Sequence, residues 1–519
     1  MDGLIKLAEL SYSYILKNYY NKKALYTVLC AYGVFKTIYL AFIDPLRKVP
    51  GPWYARFSKI PVRYAQFSGE TQRYFQSLHD KYGPIVRAGP RTLSCSSSKE
   101  FKQVMSTYRY KKSTIYEGFA NVHPNIFSTR DETLNKTRRR QVGPAVSQKG
   151  LKLIESLVSS VCVDSADTKL DELTQEGSGS AEINYFNFFQ NITTDVVGEL
   201  GFGIKIGAVQ NEGHPISGWI NGVVKNSMKF NSFPLLKKFQ RIMPGLSNNE
   251  NNLKNLCMGQ IKQRQELIKN NSLDPNTYDV LQIYVTATNP STNKPLSDDE
   301  LLTEIVAVSV VGIHTTSITM TWMMAYLMAY PEVYRKLVQE IRTTFPDRNK
   351  KITISEVKEK LPYLVATIHE VLRVVGSHGN NLFRDIPKEG LEIHGFNIPY
   401  KSEIGMFLPG ANLDSSVWED PKTFNPDRFL GDDGDRLKKE VLAFSTGVRM
   451  CPGKDFSMIQ LYLVFANMFK NFDFSLPADS KLIPNSKNSH PIPNDITYIT
   501  RLPANPQADC NVVITKALN

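Results

Sequence analysis

The sequence predicts a mainly α-helical protein with small β-sheets, preceded by an N-terminal membrane anchor helix. From residue 54 onward the hydrophobic pattern is mostly helical, with short strand-like pieces only at Pro84–Gly89 and Leu391–Pro399. One long helical segment begins at a capping motif near Ser297. A run of 20 largely apolar residues, Ala24–Ile43, precedes the globular part.

Composition sets the broad class. The chain has 519 residues, 42% hydrophobic and 22% charged, which is ordinary for a globular protein. Its net charge of +12 and pI near 9.1 suit nucleic acid, an anionic membrane or an acidic protein partner. No arginine-rich tract or nucleic-acid module occurs in the sequence, so we expect a membrane and an acidic protein as partners and no nucleic acid.

The cysteine pattern points to a reduced compartment. The six cysteines are Cys30, Cys95, Cys162, Cys257, Cys451 and Cys510. They form no CxxC pair and show no regular spacing, which argues against a zinc site and a disulfide framework. A reduced domain that faces the cytosol is the simplest interpretation.

The segment Ala24–Ile43 has about the length that crosses a bilayer as a helix. An amphipathic helix that lies in the interface is the alternative, because Lys36 is unfavourable in mid-membrane. Lys and Arg flank both ends, so their count does not settle the orientation. The prolines of Lys48–Trp53 cannot continue the helix and predict a stiff hinge. We therefore expect an anchor and its flank in residues 1–47 and one catalytic domain in residues 48–519.

A long helix is predicted to follow Leu296. Ser297 and Glu300 have the spacing of a capping box, and Leu296 and Leu301 can form the hydrophobic staple beside it. No proline follows until Pro331, so the helix would extend over about 30 residues, on the order of 50 Å.

A second membrane span is the alternative interpretation of this helix. Glu304 and His314 leave only nine residues between them, and the run after His314 is slightly short and rich in hydroxyl groups. Both facts argue against a span. A helix through the centre of a soluble domain fits better.

Within that helix the sequence "VGIHTTS" combines Gly312 with His314 and Thr315. Glycine in a helix interior and hydroxyls that bond back to the preceding turn favour a local kink, which opens room beside the helix. On this fragment alone, a tolerated glycine with satisfied polar neighbours is the simpler interpretation.

Two further fragments can form a buried ionic network. Glu370 and Arg373 are three residues apart and share a helix face. Arg428 lies between Phe424 and Phe429 and could complete a network with them. Taken alone, each fragment is better explained as solvated surface charge.

The last fragment is "FSTGVRMCPGKDFS", with Phe444, Gly447, Arg449, Cys451 and Gly453. The order of the glycine-containing long helix, E-x-x-R, P-D-R-F and F-x-x-G-x-R-x-C-x-G resembles the cytochrome P450 family. The resemblance covers essentially residues 48–519 and implies the cytochrome P450 fold.

The resemblance also implies a cofactor, heme b (iron protoporphyrin IX), with Cys451 as the thiolate ligand of the iron. The implied cofactor-binding residues are Arg139, Arg384, Phe444, Arg449, Cys451 and Gly453. The arginines would pair with the heme propionates, and Phe444 would shield the sulfur. The structural network would be Glu370, Arg373 and Arg428.

Two departures from the family pattern bear on function. Asn135 stands where the family often has a tryptophan that contacts a propionate. His314 stands where an acid usually precedes the catalytic threonine, here Thr315. Thr315 would help deliver protons to iron-bound oxygen, whereas His314 could either relay protons or only pack locally.

The implied activity is that of a membrane-anchored monooxygenase that inserts one atom of O2 into a C–H bond of a lipophilic substrate. Among microsomal fungal members, a steroid or terpenoid hydroxylase is the expected type. Hydroxylation of a fatty acid or a xenobiotic is one alternative. A heme-thiolate isomerase or dehydratase is another, although Thr315 argues against both of these activities. A non-catalytic heme protein is the remaining alternative.

Partners and location follow from the same resemblance. Electrons would come from NADPH, indirectly, through NADPH–cytochrome P450 reductase, with cytochrome b5 as an additional partner. The basic residues that could form the docking face are Arg138, Arg140, Lys149, Lys438, Lys439 and Lys454. The expected substrate pocket is lined by the loop around Ile115–Phe127, by Val308, Val311 and Gly312, and by Val375–Asn380. The expected location is the endoplasmic reticulum membrane, with the catalytic domain in the cytosol.

Overall fold

A computed structural model describes residues 17, 21–35, 37–120, 122–236, 245, 247–289, 292–485 and 488–517. It confirms the mainly α-helical class with small sheets. The helices are α1 (Ile60–Ser68), α2 (Thr71–Tyr82), α3 (Ser98–Met105), α4 (Glu132–Val142), α5 (Gln148–Val158), α6 (Ser165–Glu176), α7 (Tyr185–Val197), α8 (Pro215–Ser232), α9 (Asn248–Lys269), α10 (Val280–Thr286), α11 (Asp298–Ala329), α12 (Pro331–Thr344), α13 (Ile354–Lys360), α14 (Pro362–Val375), α15 (Leu408–Ala411), α16 (Gly434–Glu440), α17 (Lys454–Asn471) and α18 (Pro506–Asp509).

Short single turns of tighter or wider helix connect several of these elements. The tighter ones are Trp53–Arg56, Thr114–Phe119, Gly143–Val146, Pro426–Phe429 and Gly447–Arg449, and the wider ones are Tyr39–Ile43, Ser159–Asp164 and Gly198–Phe202. The strands are β1 (Ile85–Gly89), β2 (Thr92–Cys95), β3 (Ser180–Asn184), β4 (Asn381–Asp385), β5 (Leu391–Ile393), β6 (Phe396–Ile398), β7 (Glu403–Phe407), β8 (Phe472–Ser475), β9 (Asp495–Thr497), β10 (Arg501–Pro503) and β11 (Asn511–Lys516).

Helix α11 is the central element and begins where the sequence predicts. The Ser297 hydroxyl accepts from the Glu300 backbone N–H, and the Glu300 carboxylate accepts from the Ser297 N–H, which completes the capping box. Among the described residues, α11 is the one helix long and apolar enough to cross a membrane, yet 72% of its most apolar stretch is buried. It packs against α7, α9 and α14 in the core.

The largest sheet has the strand order β1-β2-β7-β4. Its only parallel pair is β2 with β7. The predicted strand at Pro84–Gly89 is β1, whereas the single strand predicted at Leu391–Pro399 is a hairpin, β5-β6. The hairpin forms because His394 and Gly395 both adopt positive φ, +48° and +74°, as a tight two-residue turn requires.

The segment after the N-terminal helix is fixed to β1. Residues 21–35 and 37–38 are helical and lead into the wide turn that ends at Ile43, while Lys36 lies outside the described residues. The Arg87 N–H donates to the Pro50 carbonyl oxygen over 2.7 Å. A Cβ on Gly51 would lie 2.4 Å from the Arg87 carbonyl oxygen, so the chain passes close to β1 at this point. The division at residues 47 and 48 stays a prediction.

Candidate functional site

The loop that carries Cys451 is held by a tight turn directly before α17. The Cys451 N–H donates to the Phe444 carbonyl oxygen over 2.9 Å, which closes the loop. Gly447 adopts φ +67°, and a Cβ there would lie 2.4 Å from the Met105 carbonyl oxygen, so the position requires glycine. A Cβ on Gly453 would lie 3.9 Å from Cys451 Sγ, an ordinary contact distance. The protein's own packing therefore requires glycine at position 447 but not at position 453.

Cys451 differs from other described cysteines in its surroundings. Its side chain lines a large internal cavity. Burial raises the pKa of the Cys451 thiol, whereas the Gly453 N–H and the Arg139 charge lower it. For Cys95 and Cys257, burial raises the pKa to about 12, and no cation is among the groups that act on either thiol. Cys451 is therefore the better placed of these cysteines to supply a thiolate ligand.

Four basic side chains line the same cavity as Cys451. They are Lys112, Arg139, Arg384 and Arg449. One carboxylate balances part of their charge, because Glu132 pairs with Arg449 Nη2 over 2.6 Å. Arg449 Nη1 is buried and has no hydrogen-bond partner within the described residues. A ligand that brings carboxylates would satisfy this donor and the unbalanced charge.

Asn135 accounts for one departure from the family pattern. Its side-chain oxygen accepts from Arg139 Nε over 3.2 Å, and its amide nitrogen donates to the Ile126 carbonyl oxygen over 2.9 Å. Arg139 Nη2 also donates to the Met450 carbonyl oxygen over 2.6 Å. Asn135 thus orients Arg139 and ties it to the loop before α4.

Lys112 is a site residue that the sequence did not reveal. Its ammonium group donates to the Phe127 carbonyl oxygen, and its backbone pairs with Arg384 of β4. Burial lowers the pKa of Lys112 well below its ordinary value, and the charges of Arg384, Arg449 and Arg139 lower it further. Lys112 belongs to no spaced motif, so only its position in the fold brings it to the cavity.

The structure brings Glu370, Arg373 and Arg428 together. Two Arg373 nitrogens donate to the Glu370 carboxylate over 2.7 and 2.8 Å, and both side chains are fully buried. Arg428 Nε donates to Glu370 Oε1 over 3.1 Å. Arg373 Nη1 also donates to the Pro421 carbonyl oxygen over 2.7 Å. The network therefore joins α14 to the segment that precedes the Cys451 loop.

The middle of α11 forms another part of the cavity wall. Val308, Val311, Gly312 and Thr315 all line it. The Thr315 hydroxyl donates to the Val311 carbonyl oxygen over 2.8 Å, a bond to the preceding turn. A Cβ on Gly312 would lie 2.9 Å from Val197 Cγ2, so glycine here allows α7 to approach closely. The helix is unbroken through this point.

A side-chain bond between Thr316 and Ser457 connects this wall to the Cys451 loop. Their hydroxyl oxygens are 2.6 Å apart, and Ser457 lies in the first turn of α17. The bond helps to set the spacing between α11 and the loop that carries Cys451.

His314 is buried beside the cavity and contacts Thr500. The His314 Nδ1 and the Thr500 hydroxyl oxygen are 3.0 Å apart. His314 Nε2 is buried without a partner within the described residues. Burial lowers the pKa of His314 to about 4, so the imidazole is neutral near pH 7. Thr500, which sequence reasoning missed, lies between β9 and β10 and carries no local signal.

The cavity has a volume of ≈ 430 Å³ and mostly apolar walls. Its apolar lining includes Phe119, Phe127, Val197, Leu200, Val224, Ile283, Val308, Val311, Leu382 and Ile499. The expectation for Val375 is wrong, because this residue is 1% exposed in the core and does not line the cavity. Val375 ends α14 with its side chain packed inward, whereas Ser377 and His378 of the expected stretch Val375–Asn380 do line the cavity.

The expected docking face also needs a correction. Arg138 is 2% exposed and pairs with Glu300 over 2.6 Å and with Glu304 over 3.2 Å. It lies on the inward side of α4 and cannot meet a partner. Arg140, Lys439 and Lys454 are exposed and Lys438 is half-buried, whereas the Lys149 side chain lies outside the described side chains.

These residues fit a heme. Cys451 offers a sulfur that can ligate a heme iron as a thiolate. The basic side chains and the orphaned Arg449 Nη1 suit the two carboxylates of the porphyrin. The apolar walls suit the rest of the macrocycle and a lipophilic molecule beside it.

Comparison with known proteins indicates the same family as the motifs and the site residues. The family model described as cytochrome P450 matches residues 49–498. Two relatives from Aspergillus fumigatus are cytochrome P450 monooxygenase helB1, 29% identical over 93% of this chain and 84% of the relative, and cytochrome P450 monooxygenase helB2, 30% identical over 92% and 95%. A third relative is cytochrome P450 monooxygenase aba2 of Botryotinia fuckeliana, 27% identical over 91% and 92%. The chain therefore belongs to the cytochrome P450 family and is a cytochrome P450 monooxygenase.

Proposed function

We propose that this monooxygenase hydroxylates a rigid lipophilic substrate of the steroid or terpenoid kind. The observation that carries the proposal is one cavity with two kinds of lining. Cys451 and four basic side chains line it, and so do apolar side chains of α11 and its neighbours. A heme bound at Cys451 would supply activation of O2 for insertion into a C–H bond.

The basic residues would hold the cofactor while Cys451 ligates its iron. Arg139, Arg384 and Arg449 would pair with the propionates, and Lys112 would join them. Because Glu132 engages only one nitrogen of Arg449, Nη1 remains to bind a carboxylate. Phe444 would exclude water from the sulfur side of the site.

Thr315, His314 and Thr500 would handle protons on the α11 side. Thr315 presents its hydroxyl to the cavity and can donate a hydrogen bond there when its bond to Val311 opens. A neutral His314 can accept a proton at one ring nitrogen and release one from the other, so it need not become charged. Thr500 would hold the His314 ring and exchange a proton at Nδ1.

The cavity walls support a compact apolar substrate with few polar groups. Apolar surface dominates the lining, and His314, Asn125 and Thr500 are among its hydrogen-bonding groups. A binding screen by heme spin-state shift would compare steroids and terpenoids with fatty acids and aromatic xenobiotics. Shifts confined to fatty acids or xenobiotics would contradict the substrate class proposed.

The proposed electron donor is NADPH–cytochrome P450 reductase, with cytochrome b5 as a second donor. The exposed side chains of Arg140, Lys439 and Lys454 support docking of an acidic flavoprotein. The test is turnover with purified reductase, NADPH and O2. Product heavier than the substrate by one oxygen atom, formed only with all three, is expected. Turnover without reductase or O2 would indicate an isomerase or dehydratase instead.

We place the protein at the endoplasmic reticulum membrane with its catalytic domain in the cytosol. The N-terminal helix supports this location because its large apolar side chains are exposed, among them Leu25, Tyr26, Val28, Leu29, Val34, Phe35, Ile38, Phe42 and Ile43. A truncated chain that begins at residue 48 should leave the membrane fraction, and its retention there would contradict the anchor.

A further inference from the structure

A second pocket lies where the N-terminal helix meets the turn between β1 and β2. Its volume is ≈ 380 Å³. Its walls include Tyr32, Phe35 and Tyr39 of the helix and Arg56, Arg87 and Arg91 of the catalytic domain. It shares no lining residue with the cavity that holds Cys451.

Arg87 is already satisfied by its neighbours. It pairs with Asp44 over 2.6 Å, and both side chains are 2% exposed. It also donates to the Leu46 carbonyl oxygen over 3.2 Å and to the Pro90 carbonyl oxygen over 2.8 Å. Asp44 is therefore committed to Arg87 and cannot neutralise the other arginines of the pocket.

Arg56 and Arg91 have no carboxylate partner within the described part of the chain. Arg56 donates to the Arg47 carbonyl oxygen over 3.1 Å. Arg91 Nη1 is buried and makes no hydrogen bond to any described residue. The Arg91 backbone is fixed, because its carbonyl oxygen accepts from the Glu403 N–H over 2.8 Å. A buried guanidinium donor in this position is unfavourable unless a ligand accepts from it.

The unpaired charges act on the same small region. Burial is the main cause of the lowered pKa of Arg87, and the charges of Arg56 and Arg91 lower that pKa further. The pocket thus concentrates positive charge beyond what Asp44 balances, which favours an anion.

We propose that this pocket binds the phosphate group of an anionic phospholipid, with Arg56 and Arg91 as its direct contacts. The inference rests on the proposed membrane anchor, which would bring the pocket to the cytosolic face of the bilayer. Basic pockets beside membrane helices on that face are suited to anionic headgroups. Arginine suits phosphate because its nitrogens can donate two parallel hydrogen bonds.

A lipid explains the pocket better than free phosphate. Tyr32, Phe35 and Tyr39 make one wall apolar, and that wall continues into the exposed apolar side chains of the N-terminal helix. The glycerol and acyl chains of a lipid would cover this surface, whereas inorganic phosphate would leave it exposed.

The test uses the full chain in detergent with native mass spectrometry to count bound lipid. Dioleoyl phosphatidic acid is compared with dioleoyl phosphatidylcholine at about 0.5 M salt, where exposed charges are largely screened. The pocket variant is Arg56→Gln with Arg91→Gln. The matched control is Arg47→Gln with Lys48→Gln, which removes the same charge from the same region outside the pocket.

We expect wild type and control to retain phosphatidic acid and the pocket variant to bind it roughly tenfold more weakly or worse. Both variants should keep the reduced CO difference spectrum of wild type, because neither pair of residues lines the Cys451 cavity. Arg91→Glu alone should also abolish retention.

Three results would overturn the site alone. Equal retention of phosphatidic acid by the pocket variant would remove its structural basis, and full displacement of the lipid by inorganic phosphate would show that free phosphate is the ligand. The membrane anchor is checked separately with neutral phosphatidylcholine vesicles. Failure of the full chain to bind them would overturn the anchor and the lipid site together, whereas binding without any preference for phosphatidic acid in the detergent experiment would overturn the site alone.

Discussion

Arg449 donates through Nη2 to Glu132 over 2.6 Å, while Nη1 of the same guanidinium is buried without a partner within the described residues. Within the described residues, the protein thus provides a hydrogen-bond partner for Nη2 of Arg449 but none for Nη1. A heme propionate is the group that would complete it, since the cavity at this point holds more basic side chains than carboxylates.

Arg449→Gln should weaken heme retention. Loss of a hydrogen bond to a charged group removes about 1.5–3 kcal/mol, so heme should leave about tenfold faster or more. The rate of heme transfer from the purified protein to apomyoglobin measures this. The control is Arg436→Gln. Arg436 is an exposed arginine of α16 that pairs with Asp433 just before the helix. Equal transfer rates for Arg449→Gln and the control would contradict the role of Arg449.

Glu370→Gln should destabilise the whole domain. Glu370 and Arg373 are fully buried, so the substitution leaves Arg373 with an uncompensated charge and weakens Arg428 as well. Removing one partner of a buried pair costs about 3–5 kcal/mol. The urea midpoint of the purified protein measures the loss. Glu389→Gln is the control, because the exposed Glu389 pairs only distantly with Arg109, at 3.7 Å. A midpoint as high as that of the control would contradict the structural role.

Thr500→Val should uncouple NADPH consumption from product formation. The substitution keeps the shape but removes the hydroxyl at His314 Nδ1. Product formed per NADPH should fall roughly tenfold, less than the roughly 10²–10⁴-fold contribution of a general acid or base itself, because Thr500 acts through His314. Peroxide should rise to match. Thr497→Val is a matched control, since Thr497 Oγ1 has no partner within the described residues and Thr497 does not line the cavity. Unchanged coupling in Thr500→Val would exclude this residue from proton delivery.

His314→Gln should make stability less dependent on pH below 6.5. Burial lowers the pKa of His314 to about 4 in the folded protein, against 6.5 ordinarily. As pH falls from 6.5 to 4, the unfolded chain gains a proton at this residue that the folded protein does not, so stability falls. Above pH 6.5 His314 is neutral in both states and causes no loss of stability. At pH 4 the free energy of unfolding is about 3 kcal/mol lower because of this residue.

Denaturation with urea at several pH values measures this slope. The wild-type curve should fall more steeply than that of His314→Gln as pH decreases. Parallel curves would mean that His314 binds its proton equally well in the folded and unfolded states.

Local signals predicted much of the fold. The capping box at Ser297 and Glu300 fixed the start of α11 because both partners lie within one turn. The apolar and polar pattern at Leu391–Pro399 indicated strand, but two residues with positive φ turn it into a hairpin, and His394 is not a residue that usually marks such a turn.

Sequence reasoning named site residues mainly where they belong to spaced motifs. Cys451, Arg449, Glu370 and Thr315 have that property. Lys112 and Thr500 reach the cavity through contacts across long stretches of chain, to Arg384 and His314, so no local pattern marks them. The inward direction of Arg138 likewise depends on its pairing with carboxylates of α11.

Ligation of heme iron by Cys451 is measured by the reduced CO difference spectrum. Wild type should show the Soret band typical of a thiolate ligand. Cys451→Ala should lose that band, while Cys257→Ala, which removes a buried cysteine outside the cavity, should keep it. Absence of the band in wild type, or its persistence in Cys451→Ala, would contradict the account.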